Sequence, residues 1–198
     1  MQKLLVTMVA ALAFLAPTQA RAVIFLGARV GYAMPSGDVQ QSAPMKNNIS
    51  ANIPIQVDAG MSVLSILSLG VYGSYGPTSI AKDLKSSCSA LGVSCSGQNL
   101  RFGVQANLRP PLILNSLWGG VFAGLERQKL SFGSSDATYS GWETGLQAGY
   151  DFSVLPFIKI GPFASYSFAQ FTSASGATIG TKAQHTALTF GLRGLFDF

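Results

Sequence analysis

The side chains that could carry chemistry are few and widely spaced in this sequence. Its 198 residues include one histidine, His185. Nucleophilic catalysis needs a base within hydrogen-bond reach of a hydroxyl or thiol. His185 is followed by Thr-Ala-Leu, so the residue two positions on is Ala187. His185 also falls at the end of a long polar segment, where a lone exposed histidine is usually incidental.

Motifs for other chemistry are absent from the sequence. It contains no G-x-S-x-G motif, no His/Cys/Asp cluster with metal-ligand spacing and no phosphate-binding glycine loop. We therefore predict no catalytic residue, no cofactor and no metal site.

The two cysteines, Cys88 and Cys95, lie in the Ser/Gly-rich stretch KSSCSALGVSCSG, which is typical of a loop. In an exported protein, an isolated pair most simply forms one disulfide. Two free thiols are the alternative. A metal site would need further ligands nearby, and the stretch offers none.

The N-terminal segment MQKLLVTMVAALAFLAPTQARA has the features of an export signal. Lys3 precedes an apolar centre at residues 4–15, and Ala20-Arg21-Ala22 has the A-x-A arrangement that a signal peptidase needs. We predict that residues 1–22 form a signal peptide cleaved after Ala22, and that residues 23–198 form one domain. An N-terminal anchor helix is the alternative, but the apolar centre is short.

The composition indicates a lipid environment. Charged residues make up 11% of the chain and hydrophobic residues 48%, whereas roughly 25% of residues are charged in typical soluble domains. No convincing run of about 18 apolar residues occurs beyond the first two dozen positions, which argues against membrane-spanning helices. Without Lys3 and Arg21, 11 basic residues face 8 acidic ones. This small excess is spread along the chain, which argues against nucleic-acid binding.

Alternation of apolar and polar residues, the pattern of a strand with two different faces, recurs along the chain. The eight stretches are VIFLGARVGYA (23–33), ANIPIQVDAGM (51–61), ILSLGVYGSYG (66–76), NLRFGVQANLR (99–109), SLWGGVFAGLERQ (116–128), GWETGLQAGYDF (141–152), FIKIGPFASYSFA (157–169) and ALTFGLRGLFDF (187–198). The pattern is ambiguous only at Trp118 and Phe122.

The connections between these stretches alternate in length. Short ones fall near residues 62–65, 110–115 and 153–156, and long polar ones fall at residues 34–50, 77–97, 129–138 and 171–184. An antiparallel meander with tight turns at one rim explains this alternation.

The polar face of each stretch carries Gly, Ser, Gln and a lone charge. This is too little charge to cover the exterior of a soluble barrel such as a lipocalin. In lipid a sheet can span only if it is closed. We therefore predict an all-β fold: an eight-stranded antiparallel up-and-down transmembrane β-barrel with short periplasmic turns and four long extracellular loops. Aromatic side chains are expected near both rims, namely Tyr32, Tyr75, Trp142 and Tyr166 toward the long loops and Tyr150, Phe152, Phe196 and Phe198 toward the turns.

The end of the chain, GLRGLFDF, resembles the C-terminal signal read by the barrel-assembly machinery of Gram-negative bacteria. The resemblance rests on Phe190, Leu192, Phe196 and Phe198, and Gly194 departs from it. GARVGYAMPSGDV resembles the first strand and rim of OmpA-type and OmpX-type domains. Residues 23–198 as a whole resemble the small eight-stranded outer-membrane barrel family. This resemblance implies a place in the outer membrane of a Gram-negative bacterium, with outer-membrane lipid, lipopolysaccharide and the assembly machinery as partners.

A barrel of eight strands is just wide enough for side chains to fill its interior. The inward charges predicted from the alternation are Arg29, Asp58, Arg101, Glu126, Glu143, Lys159 and Arg193. Their heights along the strands predict two clusters. In the upper one, Arg101 lies between the two glutamates; in the lower one, Asp58 pairs with Arg29 or Arg193. Such clusters form a structural plug, or alternatively a gated path for small ions.

We interpret the sequence as that of a non-enzymatic outer-membrane protein whose plugged barrel carries surface loops at residues 34–50, 77–97, 129–138 and 171–184. These loops are candidates for binding a surface ligand. One alternative is a narrow channel for small solutes. The other is a lipid A-modifying enzyme. Lipid A deacylases place a serine near the histidine, a pattern from which this chain departs at Ala187.

Overall fold

The computed structural model describes residues 23–40, 43–47, 49–63, 66–90, 92–110, 116–175 and 177–198. The predicted signal peptide at residues 1–22 lies outside this part of the chain, as do residues 64–65 and 111–115 of two predicted short turns.

Antiparallel strands make up most of the described chain. They are β1 (Val23–Gln40), β2 (Ala43–Pro44), β3 (Ile49–Asn52), β4 (Ile55–Val63), β5 (Leu67–Ile80), β6 (Cys95–Leu108), β7 (Leu117–Phe132), β8 (Ser135–Tyr150), β9 (Phe152–Leu155), β10 (Ile158–Ala174) and β11 (Ala177–Asp197). A 3₁₀ turn covers Met45–Asn47, and a helix, α1, covers Lys82–Ala90. None of the helices in the described ranges is long and apolar enough to cross a membrane.

The sheet closes on itself as a ring of eight strands. Each position of the ring pairs with the next one along the chain, and β1 pairs with β11 over a long register from Phe25 opposite Asp197 to Gly37 opposite His185. β3 and β4 together form the second strand of the ring, since Ile53 and Pro54 interrupt it. β9 continues the β8 strand along β10, and the two-residue β2 pairs only with the end of β1, so the eleven strands make eight positions in the ring. Closure gives the strands backbone partners on both sides, which a membrane requires. The predicted eight-stranded barrel is confirmed.

The two faces of the barrel differ as the alternation predicts. Large apolar side chains are exposed on the outer face, and polar and charged ones are buried inside. The exposed apolar residues include Ile24, Leu26, Val30, Ile55, Val57, Leu69, Val71, Phe102, Val104, Val121, Leu125, Leu146, Ile160, Phe190 and Leu192. Trp118 and Phe122, which the pattern left ambiguous, are both buried inside, and Trp118 is only 2% exposed. An apolar exterior around a polar interior suits lipid as the surrounding solvent.

Inward glycines make room for inward aromatic rings of neighbouring strands. Gly103 on β6 and Gly124 on β7 lie beside the hydroxyl of Tyr72 on β5, and a Cβ atom at Gly103 would lie 2.8 Å from Tyr72 Oη. A Cβ atom at Gly191 would likewise lie 2.8 Å from the ring of Phe163. The close approach explains why so many polar-face positions are glycine.

The four connections at the extracellular rim are built in different ways. The connection at residues 77–97 contains α1, and a disulfide between Cys88 and Cys95 joins that helix to the start of β6. The predicted loops at 129–138 and 171–184 are hairpins whose strands continue to short turns near Gly133 and Ser175. Their outward residues are polar, which is why the sequence resembles a loop there.

An apolar cluster occupies the extracellular mouth of the barrel. The 3₁₀ turn and β3 bring Met45 and Ile49 against inward side chains of β7, β10 and β11. The apolar cap, as we call this cluster, consists of Met45, Ile49, Leu130, Phe171 and Ala183. Ile80, Phe132 and Tyr139 pack around it.

Candidate functional site: the barrel interior

Arg29 of β1 is the centre of the lower network, which fills the periplasmic half of the lumen. Its Nε donates to Asp58 Oδ2 at 2.6 Å, its Nη1 to Gln147 Oε1 at 2.7 Å, and its Nη2 to Gln105 Oε1 at 2.8 Å. Asp58 is 1% exposed. Buried charges need such pairing and hydrogen bonding. Of the two partners that the sequence offers for Asp58, the structure therefore selects Arg29.

The second carboxylate oxygen of Asp58 is also satisfied. Its Oδ1 accepts from Gln56 Nε2 at 2.8 Å and from Gln105 Nε2 at 2.9 Å. Gln147 Nε2 donates to Gln105 Oε1 at 2.9 Å and to Asn107 Oδ1 at 2.7 Å, which extends the network across the lumen. The glutamines of the polar face thus hold the charged pair in one geometry.

Asp151 completes the lower network, although it was not among the predicted network residues. It accepts from Arg109 Nη2 at 2.8 Å and from Trp118 Nε1 at 3.0 Å. Arg193 Nη1 lies 3.8 Å from Asp151, and its guanidinium lies over the Trp118 ring at 4.3 Å. Arg193 is thus placed beside Asp151. The sequence signal for Asp151 was its place on the polar face of the sixth alternating stretch.

Lys159, the predicted network residue nearest the periplasmic rim, belongs to a separate pair. Its Nζ lies 2.5 Å from Asp197 Oδ2, and both side chains are partly exposed. This pair joins β10 to the end of β11 outside the buried networks.

The upper network fills the extracellular half of the lumen around Glu143 and Glu126. Tyr72 Oη donates to Glu143 Oε1 at 2.7 Å, and Arg101 Nη1 donates to Glu143 Oε2 at the longer distance of 3.4 Å. Glu126 accepts from Asn99 Nδ2 at 2.6 Å and contacts His185 Nε2 at 2.8 Å.

The predicted position of Arg101 between both glutamates needs correction. Arg101 and Glu126 are opposite each other in the β6–β7 register. Among the described residues, however, Arg101 forms an ion pair only with Glu143, and Glu126 pairs with His185. Asn99 and His185 occupy the oxygens of Glu126.

His185 is not the exposed rim residue that the sequence analysis expects. It is 3% exposed and stacks on Phe171 of the apolar cap, with ring centroids 4.4 Å apart. The reason is that β11 continues to Ala177, so His185 has the same inward parity as Thr189 and Arg193. Continuing the alternation of the eighth stretch back to residue 185 would have predicted that the His185 side chain faces inward. Its Nδ1 has no hydrogen-bond partner among the described residues.

Two small spaces in the described lumen are the size of water molecules. One, of about 20 Å³, lies between the networks beside Arg29, Tyr72 and Glu143. The other, of about 30 Å³, lies beside His185, Glu126 and Ser167. A single water needs roughly 10–15 Å³ on this measure. These spaces can hold isolated waters, and side chains fill the lumen around them.

The residues of the predicted assembly signal lie along the outer side of β11 and, for Phe198, directly after its end. Phe190, Leu192 and Phe198 are exposed. Phe196 packs on Phe157 and on Phe198, with centroid distances of 5.2 and 4.5 Å. Recognition by the assembly machinery stays a prediction.

Comparison with known proteins supports the fold. No protein-family model matches the chain, and no curated protein matches it. The chain is similar to the crystal structure of Neisserial surface protein A, with a TM-score of 0.57 and 15% identity over 86% of this chain and 95% of that one. It is also similar to a major outer membrane protein from Thermus thermophilus, with a TM-score of 0.50 and 10% identity over 89% and 99% of the two chains. At these identities the likeness concerns the fold, and the chain has the fold of the small eight-stranded outer-membrane β-barrel proteins.

Proposed function

We propose that this protein is an integral outer-membrane protein of a Gram-negative bacterium, whose plugged barrel is a rigid support for its extracellular rim. In this role it contributes to envelope structure or to contacts at the cell surface. The apolar outer face supports the location, since such a surface needs lipid around it. Export by a signal peptide at residues 1–22 and assembly through the C-terminal aromatic residues are part of the same proposal.

The filled lumen is the observation that carries this proposal. The Arg29–Asp58 pair crosses from β1 to β4, and glutamines from β6 and β8 join it. Removing one member of a buried ion pair costs about 3–5 kcal/mol. A conducting path through the lower network would have to separate these groups. This cost favours a plug over a gated path for small ions.

The apolar cap adds a second obstruction at the extracellular mouth. Met45, Ile49 and Phe171 are each 3% exposed or less. Burying an aliphatic or aromatic side chain contributes roughly 1.5–3 kcal/mol. A solute entering from outside would therefore have to displace the cap before reaching the upper network.

The His185–Glu126 pair gives little support to the alternative of a lipid A-modifying enzyme. The pair has the base and the acid of a hydrolase, and Ser167 borders the same water-sized space. A lipid substrate would nevertheless have to enter beneath the apolar cap. Surface ligands would instead meet the rim at residues 34–50, 77–97, 129–138 and 171–184.

Planar-bilayer recordings test the plug. The full-length chain is expressed, recovered from the outer-membrane fraction and inserted into bilayers, with a known open porin as the positive control. We expect no reproducible current steps. Reproducible steps would instead establish the narrow channel, and recovery of the protein from a soluble fraction would refute the location.

Mass spectrometry of lipid A tests the enzymatic alternative. We expect identical lipid A from cells with the wild-type protein, the His185→Ala variant and a gene deletion. A lipid species that requires the wild-type protein and disappears in the His185→Ala variant would contradict our proposal.

A further inference from the structure

Arg127 of β7 is an outward-facing cation at the upper edge of the apolar exterior. It is exposed and has the same parity as Val121 and Leu125, whose side chains cover the outer face. Among the described residues it has no ion-pair partner. The next outward cation on the strand, Lys129, differs in this respect, because its Nζ lies 2.7 Å from Asp136 Oδ2.

An apolar row lies directly below Arg127. Phe102, Leu125 and Trp142 are opposite one another in the β6–β7 and β7–β8 registers, and all three are exposed. Two residues along a strand span about 7 Å. The Arg127 backbone therefore lies about 7 Å above the row of three apolar side chains.

Hydroxyl groups accompany the cation at the same level. Ser140 is the cross-strand partner of Arg127 on β8, and Thr172 of β10 is exposed beside it, with its hydroxyl donating to the Ser140 carbonyl oxygen at 3.3 Å. With the apolar row, these residues line an outward-facing groove of about 320 Å³. The groove thus combines an apolar lower part with a cationic, hydroxyl-bearing upper part.

We propose that this groove binds an acylated, phosphorylated glycolipid of the lipid A type. A phosphate is held by Arg127 beside Ser140 and Thr172, and an acyl chain lies along Phe102, Leu125 and Trp142. Guanidinium groups bind phosphate through paired, charge-assisted hydrogen bonds. The inference rests on the proposed function, because that function places this end of β7 in the outer leaflet. It also accounts for an unpaired arginine next to the lipid-facing band, where an anionic headgroup supplies the missing charge.

Native mass spectrometry of the protein, expressed from the full-length chain and purified from outer membranes in a neutral detergent, tests the site. The probes are bis-phosphorylated lipid A, the same lipid after removal of its phosphates, and phosphatidylglycerol. We expect lipid A to bind about 10-fold more tightly than either of the other two, in line with the worth of a charge-assisted contact. The Arg127→Gln variant should lose this preference.

The Lys129→Gln variant is the matched control, since it removes a neighbouring outward cation that already has a partner. It should bind lipid A like the wild type. Equal binding by wild type and Arg127→Gln, or an equal loss in Lys129→Gln, would overturn the site. Equal binding of phosphatidylglycerol would overturn the assignment to a glycolipid. A heat-dependent shift in gel migration checks that each variant is a folded barrel, and failure of the wild type in that assay would refute the proposed function instead.

Discussion

The lower and upper networks of the lumen have opposite formal charge excesses when His185 is counted as neutral. The lower network contains Arg29, Arg109 and Arg193 with Asp58 and Asp151. The upper network contains Arg101 with Glu126 and Glu143, besides His185. With a neutral histidine, the lower half has one positive charge in excess and the upper half one negative charge. The two halves balance only together, with a water-sized space between them.

The central arginines of the two networks, Arg29 and Arg101, also differ in how firmly they are held. All three guanidinium nitrogens of Arg29 donate to side chains at 2.6–2.8 Å. Within the described chain the Arg101 side chain makes one hydrogen bond, at 3.4 Å, and its Nε has no hydrogen-bond partner. The number of charges alone therefore does not measure how firmly a plug is held. Saturation of each charged group does, and it makes the Arg29–Asp58 pair more rigid than the Arg101–Glu143 pair. Arg193 of the lower network is less saturated than Arg29, because its Nε and Nη1 have no hydrogen-bond partner within the described chain.

Removing the carboxylate of Asp58 should have the largest effect. The Asp58→Ala variant leaves Arg29 buried without its anion, so we expect the free energy of unfolding to fall by about 3–5 kcal/mol. Urea unfolding of the protein in lipid vesicles, followed by gel migration of unboiled samples, measures this loss. A loss below that of the upper-network variants would reverse the ranking of the two halves.

Removing the hydroxyl of Tyr72 should have an intermediate effect. The Tyr72→Phe variant keeps the ring against Gly103 and Gly124 but removes the 2.7 Å hydrogen bond to Glu143. A buried acceptor that loses its donor costs about 1–3 kcal/mol. The control is Tyr75→Phe, which removes an exposed hydroxyl 3.3 Å from Gln98 and should leave stability unchanged. Equal losses in both variants would show that the upper network contributes nothing specific.

The strand faces were predictable from sequence because alternation is a local property. Asp58 was predicted to pair with Arg29 or Arg193, because neighbouring strands in an up-and-down barrel bring equal heights together, and the structure selects Arg29. The partners of Glu126 were not predictable in the same way. Arg101 is opposite Glu126 in the register, yet His185 of a distant strand reaches across the lumen to it. Such contacts depend on strand tilt and side-chain packing in the closed barrel, which no single stretch encodes.

The rim departed from expectation for a related reason. Polar composition at residues 129–138 and 171–184 predicted loops, but Leu130, Phe171 and Ala183 give these strands an apolar inner face. Their packing against Met45 and Ile49 from an earlier connection sustains the hairpins beyond the lipid band. The apolar cap therefore depends on contacts between distant parts of the chain.

Neutralising Glu126 should have the smallest effect. In the Glu126→Gln variant the side-chain oxygen still accepts from Asn99, and the amide can still meet His185, so the main contacts survive. The change also removes one carboxylate from the upper half. We therefore expect a loss of unfolding free energy of about 1 kcal/mol or less, close to the net worth of one hydrogen bond. Urea unfolding in parallel with Asp58→Ala checks this expectation. A loss as large as that of Asp58→Ala would mean that the upper network is held as tightly as the lower one, and that the short contacts of Glu126 outweigh the loosely held Arg101.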